Sequence, residues 1–245
     1  PFLENNYQIQ GRQVLIENNE KYILDTIPKE GPEINSISAY VKIKIDSVKD
    51  ILNVSANFVY KGEEKNKLFY YYHSWASDKK NENMKKYLSG HNKNISITDI
   101  TAVDFEDRDK PLNISIDFNI DNGIIRAAKE LYVNINEGID FTMNSFDTSR
   151  VNDYEFNNTF SFNTTIEMTI PTGYDVTYLP EKTDVDYKYF TGNYSYEMKN
   201  NNTIVLKKQF VLKKDIVKKI DFNEWNTEAN QINKFLKDQL IFKKI

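Results

Sequence analysis

Residues 160–212 read FSFNTTIEMTIPTGYDVTYLPEKTDVDYKYFTGNYSYEMKNNNTIVLKKQFVL. Phe160, Phe162, Ile166, Met168 and Ile170 occupy even positions, and Ser161, Asn163, Thr165, Glu167 and Thr169 lie between them. That alternation has the period of a strand with one buried and one wet face. Pro171-Thr172-Gly173 breaks it, with Pro suited to the second and Gly to the fourth position of a type I turn, and Leu179-Pro180 closes the next short segment. Thr191-Gly192-Asn193 and Asn200-Asn201-Asn202 read as separators between three further strand-like runs, because Gly and Asn tolerate the positive φ of tight hairpins. An antiparallel meander lying on a core is expected.

Working outward, Val41, Ile43 and Ile45 alternate with Lys42, Lys44 and Asp46, and Leu52, Val54, Ala56, Phe58 and Tyr60 repeat the pattern, so Asp46–Asp50 is expected to join a hairpin. Between Lys65 and Leu88 the period turns helical: Leu68, Tyr72 and Trp75 fall on one stripe, and Gly90 suits the position after a helix end. Strands resume at Ile95–Phe105, at Ile114–Ile120 and at Leu131–Ile135. The polar stretch Asn144–Asn158 is the expected domain boundary. Asp221 with Glu224 three residues on forms a capping-box pattern for a helix whose stripe is Trp225, Ala229, Ile232, Phe235 and Leu236, and Leu240–Lys243 returns as an edge strand. Arg12–Glu17 and Lys21–Asp25 are two short strand candidates in a lead-in segment, residues 1–33, able to complete a sheet begun by whatever precedes it. The expected fold is mainly β: two consecutive antiparallel β-sandwich-like domains, residues 34–150 and 151–245, each with one or two short helices, with a single large sandwich as the alternative.

A chain of 245 residues that is 40% hydrophobic can build a substantial core. Its 32 Lys and Arg against 36 Asp and Glu are dispersed, which leaves no electrostatic footprint for nucleic acid. No apolar run approaches the roughly 20 residues of a transmembrane helix, and a start at Pro1 without a signal-type segment reads as a processed or excised product. Cysteine is absent, which removes thiol nucleophiles, disulfides and Cys-based zinc sites from these residues. The Asn-x-Ser/Thr triplets at Asn53, Asn94, Asn113, Asn157, Asn163, Asn193 and Asn201 read as products of an Asn-rich composition.

Chemistry finds little purchase. The two histidines, His73 and His91, have no metal-ligand spacing. Asp104, Glu106, Asp107 and Asp109 form the densest carboxylate group, but it lacks the Gly and terminal Glu of an EF-hand loop and reads as a solvated turn before Pro111. No catalytic residue, metal ligand or cofactor is assigned, and the eight glycines show no phosphate-loop spacing. Two aromatic groups are candidate platforms for a glycan or peptide: Tyr70, Tyr71, Tyr72 and Trp75, and Tyr187, Tyr189, Tyr194 and Tyr196. Core packing is the competing reading for both.

Pro171-x-Gly173-Tyr174-x-Val176, Leu179-Pro180, Phe190-x-Gly192-x-Tyr194 and Ile204-Val205-Leu206 followed by Leu212 and Ile216 carry a resemblance, as do the closing helix and Leu240-Ile241-Phe242-Lys243-Lys244. Together they resemble a C-terminal β domain of unknown function that comes after the transglutaminase-like, papain-fold core of large secreted bacterial proteins. Gly11-Arg12, Val14-Leu15-Ile16 and Pro28 look like that family's exit from the core, and Lys110-Pro111 ahead of the Ile114 strand also fits. Asp25, in Tyr22-Ile23-Leu24-Asp25-Thr26, is superficially similar to the segment bearing the family's third triad residue. Gly11–Ile16 already resembles the residues C-terminal to that segment, so Asp25 is not read as catalytic. Trp225 and the Asn-rich helix depart from the family pattern. The resemblance implies a non-catalytic accessory module whose partner is a preceding transglutaminase-like domain of the same protein, in a periplasmic or extracellular location, with no nucleic acid partner and no transmembrane segment. A glycan- or peptide-binding β-sandwich module is the alternative.

Overall fold

The computed structural model describes residues 8–19, 21–90, 92–103, 105, 107, 109–136 and 143–245. A hairpin comes first, β1 (Gln13–Asn18) and β2 (Lys21–Thr26). The long strands β3 (Ser36–Asp46) and β4 (Ile51–Tyr60) come next, then helices α1 (Gly62–Ser74) and α2 (Lys80–Leu88) about a 3-10 turn at Ser77–Lys79. After them lie β5 (Ile95–Val103), β6 (Leu112–Asp121), β7 (Ile124–Ala127), β8 (Glu130–Val133) and the short β9 (Tyr154–Glu155). Residues 160–212 give β10 (Phe160–Thr169), β11 (Tyr174–Tyr178), β12 (Thr183–Asp186), β13 (Phe190–Asn200) and β14 (Thr203–Leu212). The chain closes with β15 (Ile216–Val217), a 3-10 turn at Lys219–Asp221, helix α3 (Phe222–Lys237) and β16 (Leu240–Lys244).

Eight strands form one sheet in the order β12-β13-β14-β10-β3-β4-β6-β5, and a second sheet runs β11-β16-β8-β7. Val41, Ile43, Leu52, Ile120, Ile166 and Met168 of the large sheet share one apolar cluster with Leu131, Val133, Leu240 and Phe242 of the small one and with Trp225 and Ile232 of α3. Lys42, Lys44, Asn53 and Ser55, on the opposite face, are exposed. The alternation read from the sequence thus becomes one dry and one wet face.

The mainly β, sandwich-like character is as expected, but hydrogen bonding crosses residue 150. β10 pairs with β3 in parallel, Ile166 beside Val41 and Met168 beside Ile43, while its other edge takes β14 antiparallel. The strands of 34–150 and 151–245 therefore share a sheet, and that sheet is not wholly antiparallel. β8, from before the expected boundary, pairs with β16 at the C-terminal end. A period of two fixes which face of a strand is buried; it is silent on which strand lies alongside.

Local readings shift for identifiable reasons. The Tyr174 N–H donates to the Pro171 carbonyl and Gly173 has φ +81°, so Pro stands first and Gly third in that turn, where positive φ is required. β11 then leaves the meander to pair with β16. Thr191-Gly192-Asn193 is not a turn: β13 runs through it. A Cβ on Gly192 would stand 2.6 Å from Ile232 Cδ1, so glycine there lets α3 lie close on the strand. Asp221 precedes α3 but makes no side-chain cap bond, since its carboxylate accepts from Lys188 Nζ and the Tyr189 hydroxyl, both at 2.6 Å.

Candidate binding surfaces

Five buried polar side chains, Asn35, Lys65, Asn136, Ser161 and Lys208, are engaged by the fold. Asn35 Oδ1 accepts the Glu63 N–H at 3.0 Å, satisfying a donor of the first turn of α1 from outside the helix, and its Nδ2 donates to the Thr159 carbonyl. Asn136 Nδ2 donates to the Leu236 carbonyl and Asn136 Oδ1 accepts from Lys208 Nζ. Lys65 Nζ donates to the Lys110 carbonyl and Ser161 Oγ to that of Pro32. Each of these bonds ties one chain segment to another.

The two aromatic groups diverge. Tyr187, Tyr189 and Tyr194 are buried, and Tyr196 stacks on Phe235 at 5.4 Å, so this group packs under α3 and is not a platform. Burial, and then the Glu224 carboxylate accepting its hydroxyl, raises the Tyr187 pKa well above the usual phenol range. Neighbouring Lys188 joins Asp221 and Glu224 in an ion-pair cluster invisible to motif reading, because its members come together only when α3 docks on the β12–β13 connection.

Tyr70, Tyr71 and Tyr72 stand on α1 and Trp75 just past its end; Tyr70 and Tyr71 are exposed, whereas Tyr72 and Trp75 are half-buried against the core. Tyr70 is 73% exposed and meets Tyr71 edge-on, and Tyr71 reaches Tyr87 of α2 at 5.6 Å. Tyr72 is held between Phe105, stacked at 3.9 Å, and Lys80, whose Nζ lies 4.2 Å from the ring centre. Tyr72, Phe105 and Lys80 line an open cleft of about 1150 Å³ completed by Asn81, Asp107 and Asp109, and Tyr70, Tyr71 and Trp75 stand outside its lining. An aromatic wall beside polar groups of both signs suits a polar ring or a peptide. A second cleft, of about 590 Å³, is walled by Phe146, Tyr154, Phe156 and Trp225, with Arg150 over Tyr154.

The other sequence candidates do not converge. His73 is exposed and packs edge-on against Tyr72. His91, Asp104 and Glu106 lie outside the described residues. Asp107 accepts from Lys110 Nζ at 2.9 Å and from the Asp109 N–H, contacts that hold its carboxyl below the usual range, Lys110 foremost. Asp25 sits exposed on β2 and accepts the N–H of Thr26. Among the described residues, no group of three or more His, Asp or Glu side chains is arranged to hold a metal ion, and no helix is long and apolar enough to cross a membrane.

Residues 129–242 match the family model described as Domain of Unknown Function with solved-structure structure (DUF3858). The matched span begins beside β8 and ends within β16, the two strands that pair Leu131 with Phe242. No curated protein and no solved structure matches the chain.

Proposed function

We propose that this chain is a non-catalytic accessory module that holds a preceding transglutaminase-like domain of the same protein in a fixed attitude, in the periplasm or outside a bacterial cell. The observation that carries the reading is the way residues 27–36 are fastened. Lys29 pairs with Asp215, Thr159 Oγ1 donates to the Glu30 carbonyl, and Ser161 donates through Oγ to Pro32 and through its backbone N–H to Asn35. A loosely tethered domain needs none of these contacts, whereas one that must orient a neighbour needs the joint stiff. The family match over residues 129–242 agrees with a module of unknown function and leaves its partner open.

The test uses the longer protein with its catalytic domain, with and without this region, and with Thr159→Val and Ser161→Ala together. Thermal stability and turnover of the catalytic domain are expected to fall on removal and to fall part-way in the double variant. Unchanged values for both would end the reading. Fractionation of the source cells checks the location, and recovery with cytosolic markers counts against it.

The second reading, a glycan or peptide site, is favoured by Tyr72 held between Phe105 and Lys80 at the larger cleft. Titration with oligosaccharide and peptide panels is expected to give binding that Tyr72→Ala removes. Binding that survives this change, or none at all, eliminates it.

A further inference from the structure

Among the described residues, the hairpin β1–β2 forms a two-stranded sheet on its own, joined to neither larger sheet. Leu15, Ile16, Tyr22, Ile23 and Leu24 are 66, 45, 67, 47 and 63% exposed, and these residues fall on both of its faces. A lone two-stranded hairpin is marginal in water; further strands are what make such a ribbon stable. It needs a neighbour along one edge.

The ladder says which groups that edge offers. The Ile27 N–H donates to the Arg12 carbonyl, and bonded pairs in an antiparallel ladder recur at every second residue. Val14–Asp25, Ile16–Ile23 and Asn18–Lys21 are therefore the bonded pairs, while Tyr22, Leu24 and Thr26 direct their N–H and C=O groups away from β1. The Thr26 N–H agrees, because it is taken by Asp25 Oδ1 and not by β1.

We infer that β2 pairs antiparallel with β2 of a second copy of this chain, about a two-fold axis through Ile23. Only registers that set outward residues opposite outward residues can form hydrogen bonds, and the one centred on Ile23 places Tyr22 opposite the partner's Leu24 in a doubly bonded pair. On the other face it brings Ile23 onto its own copy and Lys21 opposite the partner's Asp25, twice by symmetry. A register centred on Leu24 is also allowed by the ladder but sets Asp25 against Ile23. The outer edge of β1 has no matching complement, since its self-pairing about Leu15 meets Glu17 with Gln13. Opposed base and tip put the two bodies at opposite ends of the resulting four-stranded sheet.

Sedimentation equilibrium of the chain is expected to give about twice its 28.8 kDa mass, dissociating on dilution. Lys21→Asp alone and Asp25→Lys alone each set like charges opposite one another twice and are expected to weaken the dimer by roughly tenfold or more; the two together restore it. Leu24→Pro removes an outward donor without touching the ladder to β1 and is expected to give monomer, with a melting curve confirming that the body stays folded. A chain that is monomeric at millimolar concentration leaves this strand to a different occupant and overturns the proposal. So does a dimer indifferent to the single charge changes, or one not restored by the double.

Discussion

Asn35 has no exposed surface, and both ends of its amide are engaged: one satisfies the Glu63 N–H, the other the Thr159 carbonyl. One side chain thus joins the start of α1 to the strand that crosses between the two halves of the chain. Asn35→Ala strands the buried Glu63 N–H, while the Thr159 carbonyl keeps the amide of Asn158, and is expected to cost about 1–3 kcal/mol in denaturant melts. Next to it, Gly62 has φ +55°, and a Cβ there would stand 2.4 Å from Asn35 Oδ1 and 2.6 Å from the Ile34 carbonyl oxygen. Gly62→Ala should therefore cost at least about 2 kcal/mol, strain and collision adding. Acid acts through other residues. Lys188 and Tyr189 donate to Asp221, and Lys199 and Tyr40 act on Glu167, and both carboxyls are held below their usual values. At low pH the unfolded chain binds protons that the folded one refuses, so stability present above about pH 4 is lost as pH falls through the depressed values. Asp221→Asn is expected to flatten this acid limb of the stability curve, measured as melting midpoint against pH; an unaltered limb would show that the contact contributes nothing.

Helix α3 was legible as an element because its stripe repeats at helical spacing, and Trp225, Ala229, Ile232, Phe235 and Leu236 are all buried. Its docking was not legible, because it depends on the absence of a side chain at Gly192, a residue that on local grounds suits a turn. Gly192→Val is expected to push α3 off β13 and cost about 1–3 kcal/mol by overpacking. Trp225→Ala empties the space among Phe146, Phe156 and Phe190 and also loses the indole bond to the Asn144 carbonyl, at an expected cost of about 3–5 kcal/mol. Urea midpoints check both, and a Gly192→Val midpoint matching the parent would show that the close approach is not needed. Tyr187, Tyr189 and Tyr194 obey the same logic: as sequence they are equivalent to Tyr70 and Tyr71, and it is the position of α3 that buries the first group while the second stays exposed.

At the scale of the molecule, the strand runs were readable and the order of strands was not. Alternation in β3 and β10 shows that each has a buried face, yet nothing local tells β10 to lie parallel to a strand more than a hundred residues earlier. The polar run at 144–158 looked like a boundary on composition, but sheet hydrogen bonds pass around it on two sides, through β3·β10 and through β8·β16. Cutting at that run should accordingly be damaging. Fragment 151–245 loses Leu131 and Val133 from beside Phe242 and Leu240 and exposes the whole β3-facing edge of β10, an unpaired strand edge of the kind that aggregates. Fragment 129–245 keeps β7's neighbour β8 on β16 and shares only the second of those defects. The intact chain is expected to unfold in one calorimetric transition, 129–245 to retain native-like near-ultraviolet dichroism with a lowered midpoint, and 151–245 to show no cooperative transition. A fragment 151–245 that melts as sharply as the intact chain would mean that the shared sheet does not couple the two halves, whatever its hydrogen bonds suggest.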